Sequence, residues 1–202
     1  MENAARTAAY HALVEERTED VSRRLASIFP GEAPQGFVWE LGCGHGHFLT
    51  AYAAAHPDKV CVGIDIVGER IDRAMRKRER AKLPNLHFIH AEARLFLRTL
   101  PRHVSIERLF ILFPDPWPKK RHHKHRIIQS SFLTALAERC DPAVRVHFRT
   151  DFLPYFDDAR ASFLEHPRWE LAEEPWPFEQ ETVFQARAES YHSLTVRRTS
   201  GA

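Results

Sequence analysis

Apolar residues along this chain repeat at two different spacings, and the change from one to the other divides it. Between Ala4 and Phe29, Tyr10, Leu13, Val14, Val21, Leu25 and Ile28 recur at helical intervals with charged residues between them, the pattern that buries one face of a helix. Pro30, Gly31, Pro34 and Gly36 stop it. This predicts an N-terminal helical arm, residues 1–35, ahead of a main body, residues 36–202. In the body, short apolar runs at Phe37–Leu41, Val60–Ile66, Leu86–His90, Leu109–Phe113 and Val144–Phe148 read as buried strands. Helical patterns at His47–Ala55, Glu69–Lys82, Ala93–Leu100, Arg126–Arg139 and Pro154–Glu165 alternate with them. Trp169–Ala172 and Tyr191–Arg197 close the series as two further strands, joined by a proline- and acid-rich loop at Glu174–Gln185. Such alternation predicts an α/β fold, doubly wound, with a mostly parallel seven-stranded sheet flanked by helices.

Composition narrows the setting. With 202 residues, 44% hydrophobic and 28% charged, the chain is long enough for one core that needs no staples. Cys43, Cys61 and Cys140 are scattered, with no C-x-x-C pair, which points to reduced thiols and a cytoplasmic protein, not to disulfides or zinc. The first twenty residues mix acids and bases and lack the apolar stretch of a signal peptide, and no run approaches a membrane span. A formal net charge of +2 means that any affinity for nucleic acid must come from local patches.

Right-handed crossovers place ligands at the carboxyl ends of parallel strands, and those ends carry the candidate chemistry. The first strand runs into Glu40-Leu41-Gly42-Cys43-Gly44-His45-Gly46, where glycines allow a sharp turn and a close approach to a ligand. A dinucleotide fingerprint would want a glycine at 47, where His47 stands. The G-x-G-x-G spacing suits a ligand without pyrophosphate, such as S-adenosylmethionine, with Gly42 and Gly44 along its amino-acid end and Glu40 facing its ammonium. Asp65 ends the second strand, placed for ribose hydroxyls. Glu92 follows the third, placed for an adenine amino group, with a solvated loop acid as the simpler reading. Asp115 ends the fourth.

The most distinctive stretch is Leu112-Phe113-Pro114-Asp115-Pro116-Trp117-Pro118-Lys119-Lys120-Arg121-His122-His123-Lys124-His125-Arg126. Three prolines stiffen the presentation of Asp115 and Trp117. The Trp117 ring either stacks on a base or plugs the end of the sheet. Lys119 to Arg126 holds five Lys or Arg and no acid, a block suited to phosphates. A metal site among His122, His123 and His125 is disfavoured by the crowding cations. A second basic run lies on the Glu69–Lys82 helix, with Arg70, Arg73, Arg76, Lys77, Arg78, Arg80 and Lys82, half solvated face and half phosphate contact. Further on, Asp151 ends the fifth strand, and Thr182-Val183-Phe184-Gln185 brings a hydroxyl, a ring and an amide.

Phe113-Pro114-Asp115-Pro116-Trp117-Pro118-Lys119-Lys120-Arg121-His122 resembles the signature of the bacterial tRNA (guanine-N7-)-methyltransferases, class I S-adenosylmethionine enzymes of Rossmann-like fold, with the likeness running over residues 36–187. The resemblance implies methyl transfer from S-adenosylmethionine to guanine N7 at position 46 of the tRNA variable loop. It implies Glu40, Gly42, Gly44, Asp65, Glu92 and Asp115 at the cofactor, with Asp115 also catalytic. Lys119, Asp151, Thr182, Val183, Phe184 and Gln185 would meet the substrate. Lys120, Arg121, His122, His123, Lys124, His125 and Arg126 would contact RNA. The chain departs from the pattern at Glu92 (usually Asp), at His125 (usually Arg) and at Thr182–Gln185, where Thr-Lys-Phe-Glu is usual. The turn Cys140–Ala143 lacks the usual glycines, and the arm is short.

The expected partners are tRNA and S-adenosylmethionine, with neither membrane nor metal, in a monomer or homodimer. Three other readings compete: a methyltransferase of the same fold acting on another RNA or small-molecule nitrogen, a nicotinamide oxidoreductase, and a non-catalytic RNA-binding module.

Overall fold

The computed structural model describes residues 2–180, 185 and 188–199, with the backbone alone for 2–6 and 8–11. Thr182, Val183 and Phe184 lie outside the described residues. The elements run α1 (Glu2–Ile28), β1 (Gln35–Leu41), α2 (His47–Ala55), β2 (Cys61–Asp65), α3 (Gly68–Ala81), β3 (Leu86–His90), α4 (Ala93–Thr99), β4 (Val104–Leu112), a 3-10 turn (Lys120–His125), α5 (Ser130–Ala137), β5 (Cys140–Thr150), α6 (Leu153–Glu165), β6 (Trp169–Leu171) and β7 (His192–Arg198). The strands form one sheet of order β3-β2-β1-β4-β5-β7-β6. The first five are parallel, and β7 inserts antiparallel between β5 and β6.

Successive side chains of each strand point to opposite faces, which divides the core in two. Phe37 and Trp39 of β1, Leu109 and Ile111 of β4, and Val146 and Phe148 of β5 meet Phe96, Phe132, Tyr155 and Phe163 from α4, α5 and α6. Val38, Phe110 and Leu112 turn the other way, onto Phe48, Leu49 and Tyr52 of α2 and Ile71 and Ala74 of α3. The strands therefore read as continuous apolar runs, as strands covered on both faces do.

The N-terminal arm packs on the body: Val21, Leu25 and Phe29 are buried in the first core layer, and the Phe29 ring lies 5.3 Å from that of Phe37. The proline-glycine stretch marks a bend in the chain and not a gap in its packing. Two expectations need correction. Strand β4 starts five residues before the apolar run, because its polar positions find partners: Glu107 pairs with Lys59 at 3.0 Å, and Arg108 reaches His147 at 2.7 Å. Finally, no helix begins at Arg126. Its backbone is extended, and α5 starts only at Ser130.

Candidate active site

The strand order places the four acids singled out from sequence at the carboxyl ends of four neighbouring strands, Glu92 after β3, Asp65 on β2, Glu40 on β1 and Asp115 after β4. They sit in different environments. Glu40 is 3% exposed, and its Oε2 has no hydrogen-bond partner. Burial pushes its carboxyl up to about 8. The Leu49 N–H in the first turn of α2 opposes that rise, the Asp65 charge adds to it and Lys77 opposes it. A buried carboxyl with an oxygen unsatisfied is a costly arrangement, and a cationic donor would relieve it.

Asp65 is similarly buried, but each of its oxygens accepts a backbone hydrogen bond. Its Oδ2 accepts the Gly44 N–H at 3.0 Å, and its Oδ1 accepts the Val67 N–H at 2.8 Å. It ties the glycine turn to the start of α3. Within that turn Gly42, Gly44 and Gly46 all have positive φ. A Cβ at Gly42 or Gly44 would meet nothing within 4 Å, whereas one at Gly46 would sit 2.5 Å from the Phe88 ring. Gly46 is thus required by packing, while Gly42 and Gly44 border open space where a ligand can approach the backbone. Glu92 is exposed and caps α4, its Oε2 accepting the Leu95 N–H at 2.9 Å; the cap leaves its other oxygen available.

Asp115 is exposed and makes no hydrogen bond among the described residues. Its loop is held under strain. Phe113 and Trp117, the residues two before and two after it, adopt left-handed backbone at φ 50° and 44°, a region that bulky side chains occupy at a cost of about 1–3 kcal/mol each. Two anchors maintain it. The Phe113 N–H donates to the Arg149 carbonyl at 2.7 Å. Arg126 Nε donates to the Pro116 carbonyl at 2.9 Å, and its Nη2 reaches that of Trp117 at 3.4 Å.

This role removes Arg126 from the RNA-facing set expected from sequence. It is 3% exposed, ion-paired with Asp158, and its guanidinium lies 4.8 Å from the Tyr155 ring centre. A guanidinium so enclosed braces the loop from within. Lys119, Lys120, Arg121, Lys124 and His125 do face solvent. Trp117 is neither a core plug nor a free platform: half-buried, it packs against His125 at 5.0 Å and His122 at 5.8 Å. His123 approaches Asp158 at 3.6 Å. Among the described residues, no group of three or more His, Cys, Asp or Glu is arranged to hold a metal ion.

Beyond β5, Asp151 is exposed and follows a hub not anticipated from sequence. Arg149, 4% exposed, pairs with both carboxylate oxygens of Glu179 at 3.0 Å and donates to Ser193 Oγ at 2.8 Å and to Gln185 Oε1 at 3.3 Å. Its guanidinium lies 3.9 Å from the Trp176 ring centre and 4.5 Å from that of Tyr191. The Arg149 hydrogen bond holds the Glu179 carboxyl below its ordinary value. This clamp fastens the β6–β7 connection to the end of β5, beside the Asp115 loop. Its signal in the sequence was an arginine directly after the apolar run Val144–Phe148, since a buried arginine must find a counter-charge.

A family model described as "Putative methyltransferase" matches residues 34–198. The tRNA (guanine-N(7)-)-methyltransferase of Hyphomonas neptunium is 36% identical over 152 residues, covering 75% of this chain and 68% of its own. The chain belongs to the tRNA (guanine-N7-)-methyltransferase family. Other members include those of Streptomyces coelicolor, 38% identical over 72% of this chain and 53% of its own, and a Synechococcus species, 37% identical over 75% and 60%. The chain thus spans between about half and two-thirds of the length of these three relatives. Among solved structures, the 16S rRNA methyltransferase KamB superposes with a TM-score of 0.60 at 18% identity, covering 88% of this chain and 92% of that one. The antibiotic-resistance methyltransferase Kmr gives 0.55 at 21%, covering 88% and 93%. What these two share with the present chain is the fold. Family membership sets aside the nicotinamide reading and agrees with the absence of a glycine at position 47.

Proposed function

We propose that this protein transfers a methyl group from S-adenosylmethionine to N7 of a guanine in tRNA, at position 46 of the variable loop. The observation that carries the reading is Asp115: an exposed carboxylate, unbonded among the described residues, on a strained loop between a glycine turn with a buried unsatisfied acid and a cationic turn. Bound S-adenosylmethionine supplies an electrophilic methyl group on a sulfonium sulfur. The residues present fit that ligand. Glu40 has a free oxygen for an ammonium, Gly42 and Gly44 leave room beside the backbone, and Asp65 and Glu92 stand at the ends of β2 and β3, each with lone pairs left for hydroxyl or amino donors.

The chemistry asks little of the protein beyond placement and charge. Guanine N7 carries an in-plane lone pair and no proton, so no general base is needed and alignment accounts for most of the acceleration. The purine becomes cationic as the bond forms, and a carboxylate held beside it stabilises that charge; Asp115 is assigned this role. Asp151 accepts from the donor edge of the base, and Lys119 and the exposed cations of the 3-10 turn hold phosphates.

The test is incubation with methyl-labelled S-adenosylmethionine and bulk tRNA, followed by nucleoside analysis. Label in 7-methylguanosine at position 46 supports the assignment. Label in another nucleoside moves the enzyme to a different target, and no label in RNA removes the reading.

A further inference from the structure

Resting on that reading, we propose that the exposed face of α3 is a second RNA-binding surface, so that the RNA is held from both sides of the crevice. Arg70, Arg73, Arg76, Lys77 and Arg80 fall within about one-third of the helix circumference at 100° per residue, with Asp72 and Glu79 bordering that stripe beside Arg76. Glu69, in the first turn, is the only acid on the cationic side. Arg73, Arg76 and Arg80 are exposed and form no ion pair among the described residues. Five like charges packed on one helix face with a single acid among them repel one another, and a polyanion would lower that repulsion.

Position separates this face from an ordinary solvated helix. α3 leaves the carboxyl end of β2, and Arg70 in its first turn lies 3.5 Å from Asp65. The 3-10 turn with Lys120, Arg121 and Lys124 follows β4. β1 and its glycine turn lie between β2 and β4, so the first turn of α3 and the 3-10 turn stand on either side of the crevice, and the rest of the α3 face runs back from it. The glycine turn already feels the nearer one: the His45 imidazole is held below its ordinary pKa by burial and then by Arg73, Arg70 and Lys77, with Asp65 opposing. Lys77 Nζ is buried without a hydrogen-bond partner. A folded RNA arm with two sugar-phosphate strands could lie on both surfaces, with its target base over the crevice. A short single strand would reach only one.

The experiment compares the wild type with Arg73→Gln/Arg76→Gln/Arg80→Gln in tRNA binding over a salt series. The affinity for S-adenosylmethionine, by calorimetry, checks that fold and cofactor site survive. The triple variant should bind tRNA about tenfold more weakly near 0.1 M salt. The slope of log affinity against log salt should become shallower by about two, from three lost contacts at roughly 0.7–0.9 each. Its KM for tRNA should rise while kcat at saturating tRNA is retained, and its affinity for a short single-stranded oligonucleotide should be unchanged. An unaltered slope and affinity for tRNA would overturn the inference and leave the proposed reaction standing. Wild-type protein that binds no tRNA would instead overturn the reading on which it rests.

Discussion

Asp115 and Arg126 divide the work of one loop between an exposed group and a buried one. Asp115 has no protein partner among the described residues, so Asp115→Ala should leave the thermal midpoint within a few degrees of wild type. Methyl transfer to tRNA should fall about a hundredfold or more, as on removal of a charge stabiliser. Near wild-type turnover would end its catalytic role. Arg126 should behave differently, because its loss strands the Pro116 and Trp117 carbonyls and the Asp158 carboxylate. Arg126→Met should cost about 2–3 kcal/mol in urea unfolding. It should also lower single-turnover rates at saturating tRNA, since the strained loop loses its brace. A variant that loses stability but keeps its rate would make Arg126 structural alone. Glu40 stands between these two: its buried, unsatisfied oxygen burdens the unliganded fold and is well suited to a cationic ligand.

At the scale of elements, the turn from β1 to α2 shows two separate demands for glycine. Gly46→Ala combines a left-handed φ of 69° with a Cβ 2.5 Å from Phe88, and should destabilise the protein by about 2–5 kcal/mol. Gly42→Ala meets open space and should cost only about 1–2 kcal/mol for its backbone, while weakening S-adenosylmethionine binding. Thermal unfolding and calorimetry on both variants separate these effects; equal losses of stability would contradict the assignment. Other elements were less legible. Helical spacing runs without a break from Arg126 to Arg139, yet Arg126 is drawn inward as an extended residue and α5 waits for Ser130. Apolar periodicity cannot register that, since it does not tell a guanidinium in water from one facing Asp158 and Tyr155.

Across the whole molecule, buried titratable groups set how stability varies with pH. His147, between Arg108 and Thr195, has its pKa lowered to about 3, and His87 to about 4, in both by burial first and then by neighbouring arginines. Both are neutral in the fold but take up protons in the unfolded chain below about 6.5. Their stabilisation is therefore present above 6.5 and lost as pH falls towards 4 and 3. Glu40 has the opposite sign: its folded value near 8 exceeds the unfolded 4.5, so stability declines as pH rises from 4.5 to 8. Each group contributes at most about 1.4 kcal/mol per pH unit. Between 4.5 and 6.5 the two histidines outweigh the one carboxyl, and the urea midpoint should fall on acidification. Glu40→Gln should be more stable than wild type at pH 8, by on the order of a few kcal/mol, yet bind S-adenosylmethionine more weakly. Equal stability at pH 8 would contradict the burial argument.

Local rules made much of this protein readable in its sequence. Hydrophobic period, glycines at a strand end and three prolines around Asp115 are short-range features, and they led to the parallel sheet, the glycine turn and the presented acid. Tertiary structure decided where charge is satisfied. Whether Arg126 faces RNA or Asp158, whether Arg149 is a surface cation or the centre of a clamp with Glu179, Trp176 and Tyr191, and whether Trp117 meets a base or two histidines all depend on residues brought together from distant positions or across a turn. A charged side chain's role is set by the partner that replaces its lost water, and no single-chain pattern records that partner.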